Sequence, residues 1–135
     1  SFSACANLRP VIIKANEINL ATNTFSSCSN SENLTIDGIN TQIKTNEFYS
    51  INNFKSITIK GNYILFPSKT FYSCKNIQNI TIIGDNIITA VNKILFTCKG
   101  NQNVTFIGQN VTLSNNYFES CANLQSILIY CEKMY

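Results

Sequence analysis

Apolar and polar positions recur along this chain with a long period laid over a short one. Phe2, Phe25, Phe48 and Phe71 stand 23 residues apart. Leu95 follows after a one-residue insertion, and Phe118 comes 23 residues later. With this residue as position 0 of each coil, position 9 reads Val11, Leu34, Ile57, Ile80, Val104 and Ile127. Position 11 reads Ile13, Ile36, Ile59, Ile82, Phe106 and Ile129. Between them, position 10 is mostly polar: Ile12, Thr35, Thr58, Thr81, Thr105 and Leu128. That is the two-residue period of a short β-strand with one buried face. One strand per coil is therefore predicted.

The flanking columns predict the turns. Position 3 carries Cys5, Cys28, Ile51, Cys74, Cys98 and Cys121, and position 6 carries Leu8, Phe54, Ile77 and Leu124. Positions 0, 3 and 6 follow helical or 3₁₀ spacing, so a short helical turn should precede each strand. Position 5 is Asn in Asn7, Asn30, Asn53, Asn76 and Asn123, and Gly in Gly100. These residue types reach the left-handed region most cheaply and end a helical turn. Position 13 reads Ala15, Gly38, Gly61, Gly84, Gly108 and Cys131, which predicts a sharp bend after the strand. A second apolar pair at positions 16 and 18 (Ile18/Leu20, Ile64/Phe66, Val111/Leu113) is expected on the return side.

A coil of this length cannot bury its apolar side alone, but stacked coils can. The chain is thus expected to be a single domain over residues 1–135, with coils beginning near 2, 25, 48, 71, 95 and 118. Its strands would form a parallel sheet about 25–30 Å long. The repeat core would be Phe2, Phe25, Phe48, Phe71 and Phe118 with Cys5, Cys28, Cys74, Cys98 and Cys121.

The pattern Phe-x-x-Cys-x-Asn-Leu-x-x-Ile-x-Ile resembles the BspA-like leucine-rich repeats. Phe118 to Ile129 matches it almost letter for letter, and Phe71 to Ile82 nearly so. The departures are Ser31 and Asn101 at the Leu position, Ile51 at the Cys position and the insertion before Leu95. The resemblance implies a leucine-rich repeat solenoid, α/β by convention and β-rich, of about six coils. It also implies a non-enzymatic binding scaffold. Proteins of this family resemble surface proteins of oral bacteria and anaerobic protists that act in adhesion, although others are intracellular. Cell-surface or secreted placement is the expectation it favours, with an intracellular assembly as the alternative.

Composition narrows the chemistry. The absence of His excludes a Ser-His-Asp triad, an imidazole base and His-ligated zinc. The carboxylates Glu17, Glu32, Asp37, Glu47, Asp85, Glu119 and Glu132 occupy different coil positions, except Asp85 and Glu132, which lie two coils apart. No dyad for acid–base work emerges. Each Gly is used singly, so no phosphate loop is present. No catalytic residue, cofactor or metal site is expected. A net charge of +3 with scattered lysines argues against a nucleic-acid track. No apolar run approaches the ~20 residues of a membrane span. Asn (21) and Ile (20) dominate, which suits an AT-rich genome and makes a protist source plausible.

Five of the six cysteines share one column, where Ile51 also sits. Stacked side chains point in parallel rather than at one another, so a buried row of small apolar filler explains them better than disulfides or metal ligation. Cys131 lies outside the column and is the expected reactive thiol. The sequons at Asn33, Asn79, Asn103 and Asn110 are no more numerous than an Asn-rich composition predicts, and three begin on a predicted strand. The Thr row resembles ice-binding arrays only weakly, with one Thr per coil; β-branched residues suit strands in any case.

In leucine-rich repeats, positions 8, 10 and 12 point away from the core onto the concave sheet. Here position 12 reads Lys14, Asp37, Lys60, Ile83, Ile107 and Tyr130. Lys14, Asp37 and Lys60 are expected to form a charge ladder. Ile83, Ile107 and Tyr130, beside Leu128, form an apolar stripe, with Thr81, Thr105, Asn79 and Asn103 alongside. A protein partner of unknown identity is expected on this face. Neither terminus reads as a polar cap, so the segment is expected to continue in a longer array, to stack end to end, or to be covered by assembly neighbours.

Overall fold

The computed structural model describes residues 7–21, 24–25, 28, 30–43, 48, 53–67, 70–71, 76–89, 102–113 and 123–135. Its strands are β1 (Val11–Asn19), β2 (Asn33–Gln42), β3 (Ser56–Lys60), β4 (Tyr63–Phe66), β5 (Asn79–Ile83), β6 (Asn86–Thr89), β7 (Gln102–Thr112) and β8 (Leu124–Met134). All pairings are parallel, and the order along the stack is β1-β2-β3-β5-β7-β8. Position 9 pairs with position 9 throughout: Val11↔Leu34, Leu34↔Ile57, Ile57↔Ile80, Ile80↔Val104 and Val104↔Ile127. This is a parallel β-solenoid, in which the 23-residue period sets the length of each coil and the strand-to-strand hydrogen bonds set its rise of about 4.8 Å.

The core follows the columns. Ile36, Ile59, Ile82 and Phe106 at position 11 are all fully buried. Phe25, Phe48 and Phe71 form one interior file: Phe25 and Phe48 stack at 5.9 Å with planes 4° apart, Phe48 and Phe71 at 4.9 Å and 11°. Phe54 meets Phe25 edge-on at 6.1 Å. Offset stacks at these separations add to the burial of the rings. Cys28 is fully buried within this core. Phe2, Phe118, Cys5, Cys74, Cys98 and Cys121 lie outside the described residues. The expected turn is visible in the second coil. Thr24 N–H donates to Ala21 O (3.3 Å), Cys28 N–H to Phe25 O (3.1 Å) and Ser31 N–H to Cys28 O (3.2 Å), each spanning three residues in the 3₁₀ manner. No α-helix occurs among the described residues, and none of them forms a helix long and apolar enough to cross a membrane.

The return pair at positions 16 and 18 does more than expected. Its position 16 lies on strand and pairs from coil to coil, again in register: Ile18↔Thr41, Thr41↔Ile64, Ile64↔Ile87 and Ile87↔Val111. In β1, β2, β7 and β8 the chain runs through position 13 without a break; in the middle coils it bends there, between β3 and β4 and between β5 and β6. None of the described glycines has a positive φ. Their requirement is close approach. A Cβ on Gly84 would lie 2.3 Å from the Gly61 carbonyl oxygen, and one on Gly61 would lie 2.5 Å from that of Gly38.

Two features correct the column assignments. The β7–β8 ladder shifts register between Gln102 and Asn103, so that Gln102, not Asn101, stands opposite Leu124 in the apolar column of position 6. Gln102 is buried, and its side-chain Nε2 has no hydrogen-bond partner among the described residues. Burying an unpaired amide donor is unfavourable. Gln102→Leu is therefore expected to stabilise the fold by about 1 kcal/mol, raising Tm by a few degrees. Thermal unfolding followed by circular dichroism checks this; a lowered Tm contradicts it. The other feature is Asn53 at position 5, whose side-chain amide donates to the Cys28 carbonyl of the preceding coil. Asn53 thus also ties its turn to the neighbouring coil. Ser31, a departure at the Leu position, is fully buried and donates from Oγ to the Leu8 carbonyl across the same step.

Candidate binding face

The strands β3, β5 and the first halves of β1, β2, β7 and β8 turn positions 8, 10 and 12 outward, because the alternate residues 9 and 11 face the core. The register brings Lys14↔Asp37, Asp37↔Lys60, Lys60↔Ile83, Ile83↔Ile107 and Ile107↔Tyr130 side by side. Every position in the sequence-based row is therefore adjacent to its neighbours. Exposure rises towards β8: Ile83 is half-buried, while Ile107, Leu128 and Tyr130 are 40%, 46% and 60% exposed. The ion pair in the charged half is Lys14 Nζ to Asp37 Oδ2 at 4.0 Å. Both side chains are well exposed, so its worth is small.

The polar columns hold themselves in place. Asn103 donates its side-chain amide to Asn79 Oδ1 at 3.3 Å, and Ser126 Oγ donates to Asn103 Oδ1 at 2.7 Å. On the second sheet Asn110 donates to Asn86 Oδ1 at 3.0 Å. Thr81 and Thr105 are half-buried in the face. The sequon residues Asn79, Asn103 and Asn110 are thus strand members joined to neighbouring coils rather than loop residues.

Beside the position-12 row runs a shallow groove of about 390 Å³ that sequence reading missed. Its floor is the glycine backbone at Gly38, Gly61, Gly84 and Gly108. One rim is Asp37, Lys60, Ile83 and Ile107; the other is Ile39, Asn62, Asp85 and Gln109. The signal for it was the run Gly38, Gly61, Gly84 and Gly108 between two columns of outward-facing residues, which leaves bare backbone between the two rims; Ala15 and Cys131 end the run.

A second ion pair lies on the turn side, where Lys55 Nζ meets Glu32 Oε1 at 2.7 Å. The hydrogen bond from Lys55, and then its positive charge, hold the Glu32 carboxyl below its ordinary range. A depressed carboxylate pKa contributes stability above the unfolded value, which is lost as pH falls through the folded one. An NMR titration of Glu32 is expected to show the lowered midpoint, and Lys55→Met to return it towards the ordinary range. An unchanged midpoint in the variant contradicts the assignment.

Cys131, in the bend column, is a half-buried free thiol. Among the described residues no group of three or more His, Cys, Asp or Glu side chains is placed to hold a metal ion.

A parallel solenoid with one aromatic file, a glycine trough and an outward sheet of ladder-forming residues defines a leucine-rich-repeat scaffold. The family described as BspA type leucine rich repeat region matches residues 18–134 in six copies, and the chain belongs to that family. No curated protein and no solved structure matches the chain significantly.

Proposed function

We propose that the chain is a non-enzymatic protein-binding module of the surface-adhesin kind, with the outward face of its first sheet as the contact. Membership of a leucine-rich-repeat family supports an interaction role. The observation that carries the choice of surface is the contiguous row Ile83, Ile107 and Tyr130 with Leu128, three of whose members are exposed on in-register neighbouring strands of one parallel sheet. Apolar side chains held in this way favour contact with another protein. Thr81, Thr105, Asn79 and Asn103 flank the row as its polar rim, and Lys14, Asp37 and Lys60 extend it as a charged half.

The test compares partner recovery by the wild type and by the Ile83→Asp, Ile107→Asp double variant, with folding followed by circular dichroism. At least a tenfold loss of recovery with folding intact is expected, since a buried unpaired charge in an interface core costs several kcal/mol. Undiminished recovery removes this surface from the account. The second reading, an intracellular structural component of a large assembly, draws on the free Cys131 thiol and on Ile127, which is 38% exposed although its column elsewhere is buried. Mass spectrometry of the native protein separates the two: glycans on Asn33 or disulfides favour secretion, whereas bare Asn and reduced thiols favour the cell interior.

A further inference from the structure

Two strand edges are open among the described residues: β1 pairs only with β2, and β8 only with β7. Open parallel edges present unpaired N–H and C=O groups and template further pairing. The two edges also break the column rule in the same place. Position 10 is Thr in the four inner coils but Ile12 in β1 and Leu128 in β8, and these two are 57% and 46% exposed. An outward apolar residue at each end, and at neither inner neighbour, is explained if the two ends meet.

We propose that the chain self-associates head to tail, the β8 edge of one copy stacking on the β1 edge of a second copy in the register that joins its own coils. That register pairs each residue with its counterpart 23 further on, as in Glu17↔Asn40 and Asn110↔Lys133. Carried across the junction, it sets Ile127 on Val11, Leu128 on Ile12 and Ile129 on Ile13, and covers the exposed part of Ile127. It sets Lys133 on Glu17, an opposite-charge cross-strand pair, and Tyr130 beside Lys14. No described position places like charges directly opposite. The inner coils show which backbone bonds follow. Gly61 and Gly84 N–H donate forward to Ile83 and Ile107 O, so Cys131 N–H would donate to Lys14 O; Asn110 N–H donates back to Asp85 O, so Glu17 N–H would donate to Glu132 O.

Two residues limit the junction without closing it. Pro10 has no N–H, so it forgoes the bond that Ser56 and Asn79 make to the preceding coil, and the ladder starts one residue later. Ala15 brings a Cβ to the bend column. Cys131 already does so opposite Gly108 in the unbroken β7–β8 ladder, which shows that a straight strand tolerates it. The interface is heterologous, and a solenoid axis does not turn back on itself, so repetition gives open filaments rather than closed dimers. The junction shares Leu128, Tyr130 and Lys14 with the binding face proposed above, whereas Glu17 and Lys133 belong to the junction alone, so the charge-pair variants test it independently of that face.

The test uses sedimentation velocity on the whole chain over about a hundredfold range of concentration. Wild type is expected to lengthen into a series of oligomers. Ile12→Lys blocks one edge and Leu128→Lys the other, so each variant alone is expected to stay monomeric. Their mixture is expected to form a one-to-one dimer through the two intact edges. Glu17→Lys and Lys133→Glu are each expected to weaken association about tenfold, and the charge-swapped double variant to recover it. Circular dichroism checks that all variants fold; the charge pair, fully on the surface, serves if an edge variant does not. A wild type that remains monomeric throughout, variants that assemble like wild type, or a mixture that gives no dimer overturns the proposal and leaves the edges to a different occupant.

Discussion

Gly84→Ala is expected to destabilise the protein by about 3 kcal/mol, because the added methyl would meet backbone, which cannot rotate away. Its Cβ would stand 2.3 Å from the Gly61 carbonyl oxygen, well inside contact distance. The coils must part locally, and in a stack where each coil rests on the next that strain also loosens the bonds Gly84 N–H to Ile107 O and Gly61 N–H to Ile83 O. No positive φ is involved, so conformational freedom alone would make Ala the better residue by about 0.5–1 kcal/mol. The sign of the effect therefore separates the two explanations. Gly38→Ala is the internal control. Its Cβ would meet Ile18 Cδ1 at 2.7 Å and the Ala15 carbonyl at 3.0 Å, and the end of the Ile18 side chain can shift. A cost of about 1 kcal/mol is expected there. Urea unfolding of both variants checks the contrast; Gly84→Ala as stable as wild type would refute close stacking as the reason for the column.

The largest loss is expected from Phe48→Ala, at about 4 kcal/mol. Phe48 is fully buried and is stacked on both sides, by Phe25 and by Phe71. Truncation removes the burial of one ring and both stacking contacts, and leaves a cavity whose walls are neighbouring coils held in place by their own ladders. Phe48→Leu keeps most of the apolar volume and is expected to cost about 1.5 kcal/mol. Guanidinium unfolding of the three proteins gives the series. Equal stabilities for wild type and Phe48→Ala would mean that the aromatic file is not what holds the coils together.

Much of this architecture was legible in the sequence because a solenoid writes each structural position several times. One Ile says little, but Leu34, Ile57, Ile80 and Val104 at one coil position fix a strand, its inner face and its partners. The Phe file was readable for the same reason. The second strand was only half legible. Its two apolar columns are interrupted by Thr41 and Thr89, whose hydroxyls are satisfied locally: Thr41 Oγ1 donates to Gly38 O at 3.3 Å and Thr89 Oγ1 to Thr112 O at 3.2 Å. A buried Thr with a backbone acceptor reads as polar in sequence and behaves as core in the fold.

The register shift at Gln102 was hidden because an insertion leaves open where the extra residue is absorbed, and only pairing with Leu124 settles it. Asn53 was read for its own backbone, whereas its amide acts on the Cys28 carbonyl one coil away, a relation that sequence spacing does not encode. On the binding face, adjacency was legible and exposure was not. Ile83 and Ile107 share a column, yet only Ile107 is exposed, since exposure depends on what the neighbouring coils cover.

The claim on which the rest depends is that each coil touches only the coil before and the coil after it, position on position. Methyl NOE spectroscopy on protein labelled at Ile and Val methyls tests it directly. Cross-peaks are expected from Ile36 to Ile59 and from Ile59 to Ile82, and from Ile64 to Ile87 and Ile87 to Val111, with none between Ile36 and Ile82. A spectrum that joins Ile36 directly to Ile82, or that lacks the Ile36–Ile59 step, would contradict the stacked solenoid and every surface derived from it.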